Sequence, residues 1–109
     1  MRRNPDRYTY REEWSGEDRA YVARCLEFPS LAAHGATAAD ALTELRKVVA
    51  ASLKDLEASD EPVPEPLGSR DYSGKLVLRL PRELHREVSI RAAEEGVSLN
   101  QYLVSRLAH

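Results

Sequence analysis

Lys75-Leu76-Val77-Leu78-Arg79-Leu80-Pro81-Arg82-Glu83-Leu84 decides how the second half of this 109-residue chain folds. Leucine alternates with charged or β-branched residues over the first six positions, which places Leu76, Leu78 and Leu80 on one strand face and Lys75, Val77 and Arg79 on the other. Pro81 ends the strand and suits the first turn of a helix, with Glu83 close behind it. The helix predicted from Arg82 to about Glu95 carries Leu84, Val88 and Ala92 four residues apart and ends at Gly96, well placed for a left-handed cap. Ser98 then caps a second helix whose apolar face is Leu99, Tyr102, Leu103 and Leu107.

One strand and two helices in about 35 residues make an incomplete structure, since a lone strand has no ladder partner and so short a chain buries little apolar surface. Both deficits vanish if two copies pair, each giving a strand to an antiparallel ribbon over four helices. Leu76, Leu78, Leu80, Leu84, Val88 and Leu103 then form the shared dimer core, and Lys75, Val77 and Arg79 of each copy lie on the outer surface.

The same residues, with Glu94-Glu95-Gly96-Val97-Ser98-Leu99-Asn100 behind them, resemble the ribbon-helix-helix fold of the Arc and MetJ type of repressor. The resemblance implies that Lys75, Val77 and Arg79 read base edges in the major groove, and that the amides around Ser98, Leu99 and Asn100 hold a DNA phosphate.

Upstream, Asp60-Glu61-Pro62-Val63-Pro64-Glu65-Pro66-Leu67-Gly68-Ser69 holds three of the six prolines and cannot continue a helix or a central strand. It reads as a semi-rigid linker, which divides the chain into residues 1–60, a linker at 61–73 and a second domain at 74–109. In the first domain Tyr8 to Trp14 and Arg19 to Phe28 predict a hairpin around Ser15-Gly16-Glu17-Asp18. Tyr21, Ala23, Cys25 and Glu27 share one face of its second strand, and Ala20, Val22, Arg24, Leu26 and Phe28 the other. Pro29-Ser30 is expected to break that strand, with a short third one from Leu31 to His34. Thr37 is the N-cap of a helix from Ala38 to about Glu57, with Asp40 in its first turn and Ala41, Leu42, Leu45, Val48, Val49, Ser52, Leu53 and Leu56 as a wide apolar face.

Glu27-Phe28-Pro29-Ser30-Leu31-Ala32-Ala33-His34-Gly35-Ala36-Thr37, the alanine-rich helix after it and the Pro64-Glu65-Pro66 exit resemble the HicB-type antitoxins. Ser30 stands where glycine is common in them, and Ala36 where an acidic or polar residue is. The resemblance implies an α+β chain: a truncated ribonuclease-H-like sheet with a helix, then a ribbon-helix-helix tail that forms an intertwined dimer. It further implies that the first domain binds and neutralises a HicA-type toxin that cleaves messenger RNA, while the tail represses the shared operon by binding operator DNA. The expected assembly is a homodimer or a higher oligomer built from it.

Charge is consistent with two partners. Residues 1–66 hold nine basic and thirteen acidic side chains, net −4, and residues 67–109 seven and five, net +2, so the whole-chain value of −2 averages unlike halves. An acidic first domain suits a basic RNA-cleaving partner. Catalysis is not expected. His34 has no second histidine or metal-ligand spacing beside it, and Cys25 lies in an apolar strand as a lone thiol. Glu12, Glu13 and Glu27 make no convincing acid cluster for a two-metal nuclease, so neither metal nor cofactor is expected. A single cysteine, no basic-then-apolar leader and no long apolar run give a cytoplasmic, membrane-free expectation. The rival readings are a ribbon-helix-helix regulator with a ligand- or protein-sensing first domain, and a purely structural interaction module.

Overall fold

A stretch bounded by Tyr10 and Trp14, rich in aromatic and charged residues, forms the first strand, β1 (Tyr10–Ser15), which turns into β2 (Ala20–Cys25) and then β3 (Phe28–Gly35). The computed structural model describes residues 3–109. The three strands make one antiparallel sheet in the order β1-β2-β3. In the β1–β2 register Tyr10 pairs with Cys25, Glu12 with Ala23 and Trp14 with Tyr21. By the two-residue period these pairs share a face, and Tyr10, Tyr21, Ala23 and Cys25 all belong to the core.

Two expectations for this sheet are corrected. Pro29 does not break the strand, because it lies inside β3. Arg24 pairs with Ala32 and Cys25 with Phe28, so Pro29, Ser30 and Leu31 form an irregular insertion on an edge strand, where a missing amide proton costs no ladder bond. Phe28 is also on the core side, packed against the buried cluster with its ring 5.7 Å from that of Tyr8. The chain turns after Cys25, so Phe28 restarts the alternation on β3 and does not extend that of β2.

The helix α1 (Ala38–Ala58) starts as its sequence dictates, with the Thr37 hydroxyl accepting the Asp40 amide at 3.0 Å. It buries Ala41, Leu45, Val49 and Leu53, spaced four apart, against the sheet. Complete burial of leucines and valines of this size contributes roughly 1.5–3 kcal/mol each. Gly35 permits the approach: a Cβ there would lie 2.9 Å from the Ala41 Cα and closer still to its amide nitrogen. The helix closes with Asp60 at φ +56°, its amide donating to Glu57 O while the Glu61 amide donates to Leu56 O, a Schellman arrangement with aspartate in the left-handed position.

The chain divides into two compact units, Met1–Tyr72 and Ser73–His109. The proline-rich stretch therefore sits with the first unit. Pro66 is buried, Val63 packs against the core, and Leu67–Ser69 forms a short 3-10 turn.

The second unit contains α2 (Arg82–Glu95) and α3 (Leu99–Leu107), as the sequence predicts. Gly96 closes α2 at φ +71°, with its amide donating to Ala93 O and the Val97 amide to Ala92 O. Ser98 caps α3 through a reciprocal pair: its hydroxyl accepts the Gln101 amide at 3.0 Å, and Gln101 Oε1 accepts the Ser98 amide at 3.2 Å. The predicted strand at residues 75–80 has no regular structure and no ladder partner in the single chain.

Candidate functional site

Residues 75–80 lead directly into α2, because Pro81 occupies the N-cap position with extended dihedrals and His85 donates its amide to Pro81 O. Lys75, Val77 and Arg79 are all exposed, Val77 to 91%. On the alternate positions Leu78 and Leu80 line a cleft with His85, Leu99 and Leu103. Leu78 and Leu80 thus differ in environment from Val77 and Arg79, whereas Leu76 does not line that cleft. The leucine side remains incompletely covered, with Leu76 exposed to 78% and Leu78 to 54%.

The other expected core residues show the same deficit. Leu84 is exposed, Val88 and Leu103 are half-buried, and only Ala92 and Tyr102 are fully buried in the unit. Leu107 and Val104 are exposed as well. Apolar side chains at this density on one small unit exceed what a helical hairpin covers by itself.

Ser98, Leu99 and Asn100 lie together at the start of α3. The capping pair occupies the Ser98 and Gln101 amides, and Tyr102 donates to Ser98 O. Among the described residues the Leu99 and Asn100 amides have no protein acceptor, which leaves two donors at the positive end of the helix dipole. Gln101 went unread in the sequence, although Ser98-x-x-Gln101 is a capping-box spacing.

In the first unit the three carboxylates weighed as a catalytic set are separated. Glu12 and Glu13 occupy successive positions on β1 and so opposite faces of the sheet. Glu27 lies after β2 and is 8% exposed. Its Oε1 accepts the Thr9 amide at 2.9 Å, and its Oε2 accepts the Thr9 hydroxyl at 2.9 Å and the Leu67 amide at 2.8 Å. Burial is the largest influence and pushes this carboxyl up, but the amides of Leu67 and Thr9 and the Thr9 hydroxyl together hold it below the ordinary glutamate value. Nothing local in the sequence announces this role, because the donors lie 18 and 40 residues away.

Cys25 is buried beside Glu27, and its thiol is pushed up chiefly by burial, the opposite of an activated nucleophile. His34 is exposed and pairs with Asp18 at 3.3 Å. Among the described residues no three His, Cys, Asp or Glu side chains gather as a metal site would require. No helix among them is long and apolar enough to cross a membrane. Trp14 is 55% exposed on the edge strand β1, held edge-on to Tyr21 at a ring separation of 5.2 Å. Glu12, Glu13, Glu17 and Asp18 surround it in the sequence.

Residues 56–107 match the HicB family model, a span that runs from the last turn of α1 through the second unit. The match supports a HicB-type protein. No curated protein and no solved structure matches the chain.

Proposed function

We propose that the chain is a HicB-type antitoxin whose first unit neutralises a basic, HicA-type RNA-cleaving toxin and whose second unit is a ribbon-helix-helix half that dimerises to bind operator DNA. The observation that carries the reading is the segment 75–80, whose alternating leucines are exposed or half-buried and whose backbone has no ladder partner in one chain. Pairing with the same segment of a second copy supplies both deficits at once and leaves Lys75, Val77 and Arg79 outward. The family match over residues 56–107 supports the antitoxin role independently.

On this reading the ribbon enters the major groove, Arg79 and Lys75 donate to base edges or phosphates, and Val77 touches a thymine methyl. The open Leu99 and Asn100 amides bind a backbone phosphate, which fixes register without reading sequence. The first unit carries the sheet and helix of a truncated ribonuclease-H-like fold without its catalysis. Division at Tyr72 leaves it ten basic and fourteen acidic side chains, net −4, against +2 for the tail, so the two surfaces favour partners of opposite charge. Trp14, 55% exposed on β1, offers the toxin an aromatic anchor. The chain is not an enzyme on this account and uses no metal or cofactor.

Co-expression tests the reading. The reading predicts a small basic protein encoded beside this chain that arrests growth alone, loses that effect with this chain present, and co-purifies with it. Relief of arrest without a complex, or a complex with no relief, contradicts sequestration. A regulator with a ligand-sensing first unit would bind its promoter and ignore that neighbour.

A further inference from the structure

The sheet of the first unit has two edges of unequal character. Pro29 and the irregular insertion interrupt β3, whereas β1 holds neither proline nor glycine and pairs only with β2. The Leu26 amide donates to Thr9 O, one step before the Tyr10–Cys25 pair, so Thr9 and Leu26 are a hydrogen-bonded pair of that register. Such pairs alternate along antiparallel strands. Arg11 and Glu13 therefore turn their backbone groups toward β2, and Tyr10, Glu12 and Trp14 turn theirs outward. In agreement, Tyr10 O accepts from the exposed Arg11 guanidinium at 2.9 Å. Charge on the face away from α1 is unbalanced: Arg11 lies directly opposite Arg24. Among the described residues neither arginine belongs to an ion pair, and nor does Glu13.

We propose that the β1 edge is a self-association surface, on which β1 of a second copy pairs antiparallel about an axis at Glu12 and joins two three-stranded sheets into one. The outward groups at positions 10, 12 and 14 restrict the pairing to registers that set these positions against one another. In the register centred on Glu12, Tyr10 meets Trp14, Glu12 meets Glu12, and Arg11 meets Glu13 of the second copy. All the outward amides and carbonyls of the three positions then find partners. Each Glu13 extends the other chain's Arg24–Arg11 row and supplies the carboxylate that row lacks. Sliding a strand by two residues either way sets Arg11 against Arg11 or Glu13 against Glu13, so charge selects the central register. Its cost is the Glu12 pair on the other face. A contact confined to residues 10–14 is small, so it forms well above the micromolar range. Trp14 serves either this contact or the toxin, which assigns the pairing to the toxin-free chain; the pairing itself does not rest on the antitoxin reading.

Sedimentation equilibrium of the full chain without toxin, between about 10 µM and about 1 mM, tests the surface in a Leu78→Asp background that removes association through residues 75–80. The expected result is a monomer–dimer equilibrium inside that range, which Glu12→Thr tightens at least about threefold by removing the like-charge pair. Arg11→Glu and Glu13→Arg should each weaken it at least about fivefold, and the two together should restore it to within about threefold of the parent. Should Leu78→Asp disturb folding, the same substitutions are read on the otherwise native chain as the rise in mass above its micromolar value. In that chain the Glu12 and Trp14 amides should also gain exchange protection with concentration. A protein that does not associate further up to about 1 mM overturns the proposal. Association that ignores the single substitutions, or that the paired charge reversal fails to restore, overturns it equally.

Discussion

Glu27 and Leu67, forty residues apart in sequence, are joined by a 2.8 Å hydrogen bond from the Leu67 amide to the buried carboxylate. With Thr9 bound to the same group, one side chain closes the start of the chain, the β2–β3 turn and the exit segment together.

Glu27→Ala should therefore destabilise the first unit by up to about 1–3 kcal/mol for each partly buried donor left unpaired, measured by urea unfolding. The pH dependence has a definite sign. Because hydrogen bonding holds the folded carboxyl below its unfolded value, its contribution is present above the ordinary glutamate range and is lost as pH falls through the folded value. Glu27→Gln should remove that part of the acid limb.

Gly35→Ala should cost about 1–3 kcal/mol or more, because the new methyl meets Ala41 backbone and not a movable side chain. Thermal unfolding followed by far-ultraviolet circular dichroism should show the loss, while Gly16→Ala, with nothing within 4 Å, should be far milder.

In the second unit Gly96→Ala meets open space, so its cost is that of the +71° φ alone, about 1 kcal/mol. Ser98→Ala should cost about the same by leaving the Gln101 amide uncapped. Denaturant midpoints of the full chain read both, and the two effects should be close to additive only if the caps act separately.

These cases show what the sequence made legible. Thr37, Gly96 and Ser98 act within one helical turn, so their roles follow from local chemistry and are found where expected. Both helices of the second unit follow for the same reason. Phe28 leaves the β2 alternation because the chain turns after Cys25, and Pro29 fits β3 because it lies in an irregular insertion on an edge strand; alternation alone reveals neither. The Glu27 clamp and the Tyr8 bond to Pro64 are not legible in the sequence because their partners meet only after the sheet and α1 are assembled. At the site, the two faces of residues 75–80 are readable from alternation, and Leu76 and Leu78 stay exposed to 78% and 54% in the single chain.

DNA binding separates the roles proposed for the outer residues. Arg79→Ala should cost about 1–3 kcal/mol per half-site and relax sequence preference if the guanidinium reads a base. If it instead holds a phosphate, binding to all sequences should weaken alike and the salt dependence should become shallower. Fluorescence anisotropy with promoter and scrambled duplexes at several salt concentrations distinguishes the two, and wild-type affinity for both by the variant contradicts any contact.

The pairing of the 75–80 segments is the claim on which the rest stands, and sedimentation equilibrium of the full chain tests it most directly. The account predicts a mass of twice the 12.3 kDa chain or an even multiple of it at micromolar concentration, falling toward a single chain in Leu78→Asp while α1 and the sheet stay folded. A native chain that sediments as a folded monomer, with residues 75–80 still unpaired, would contradict it.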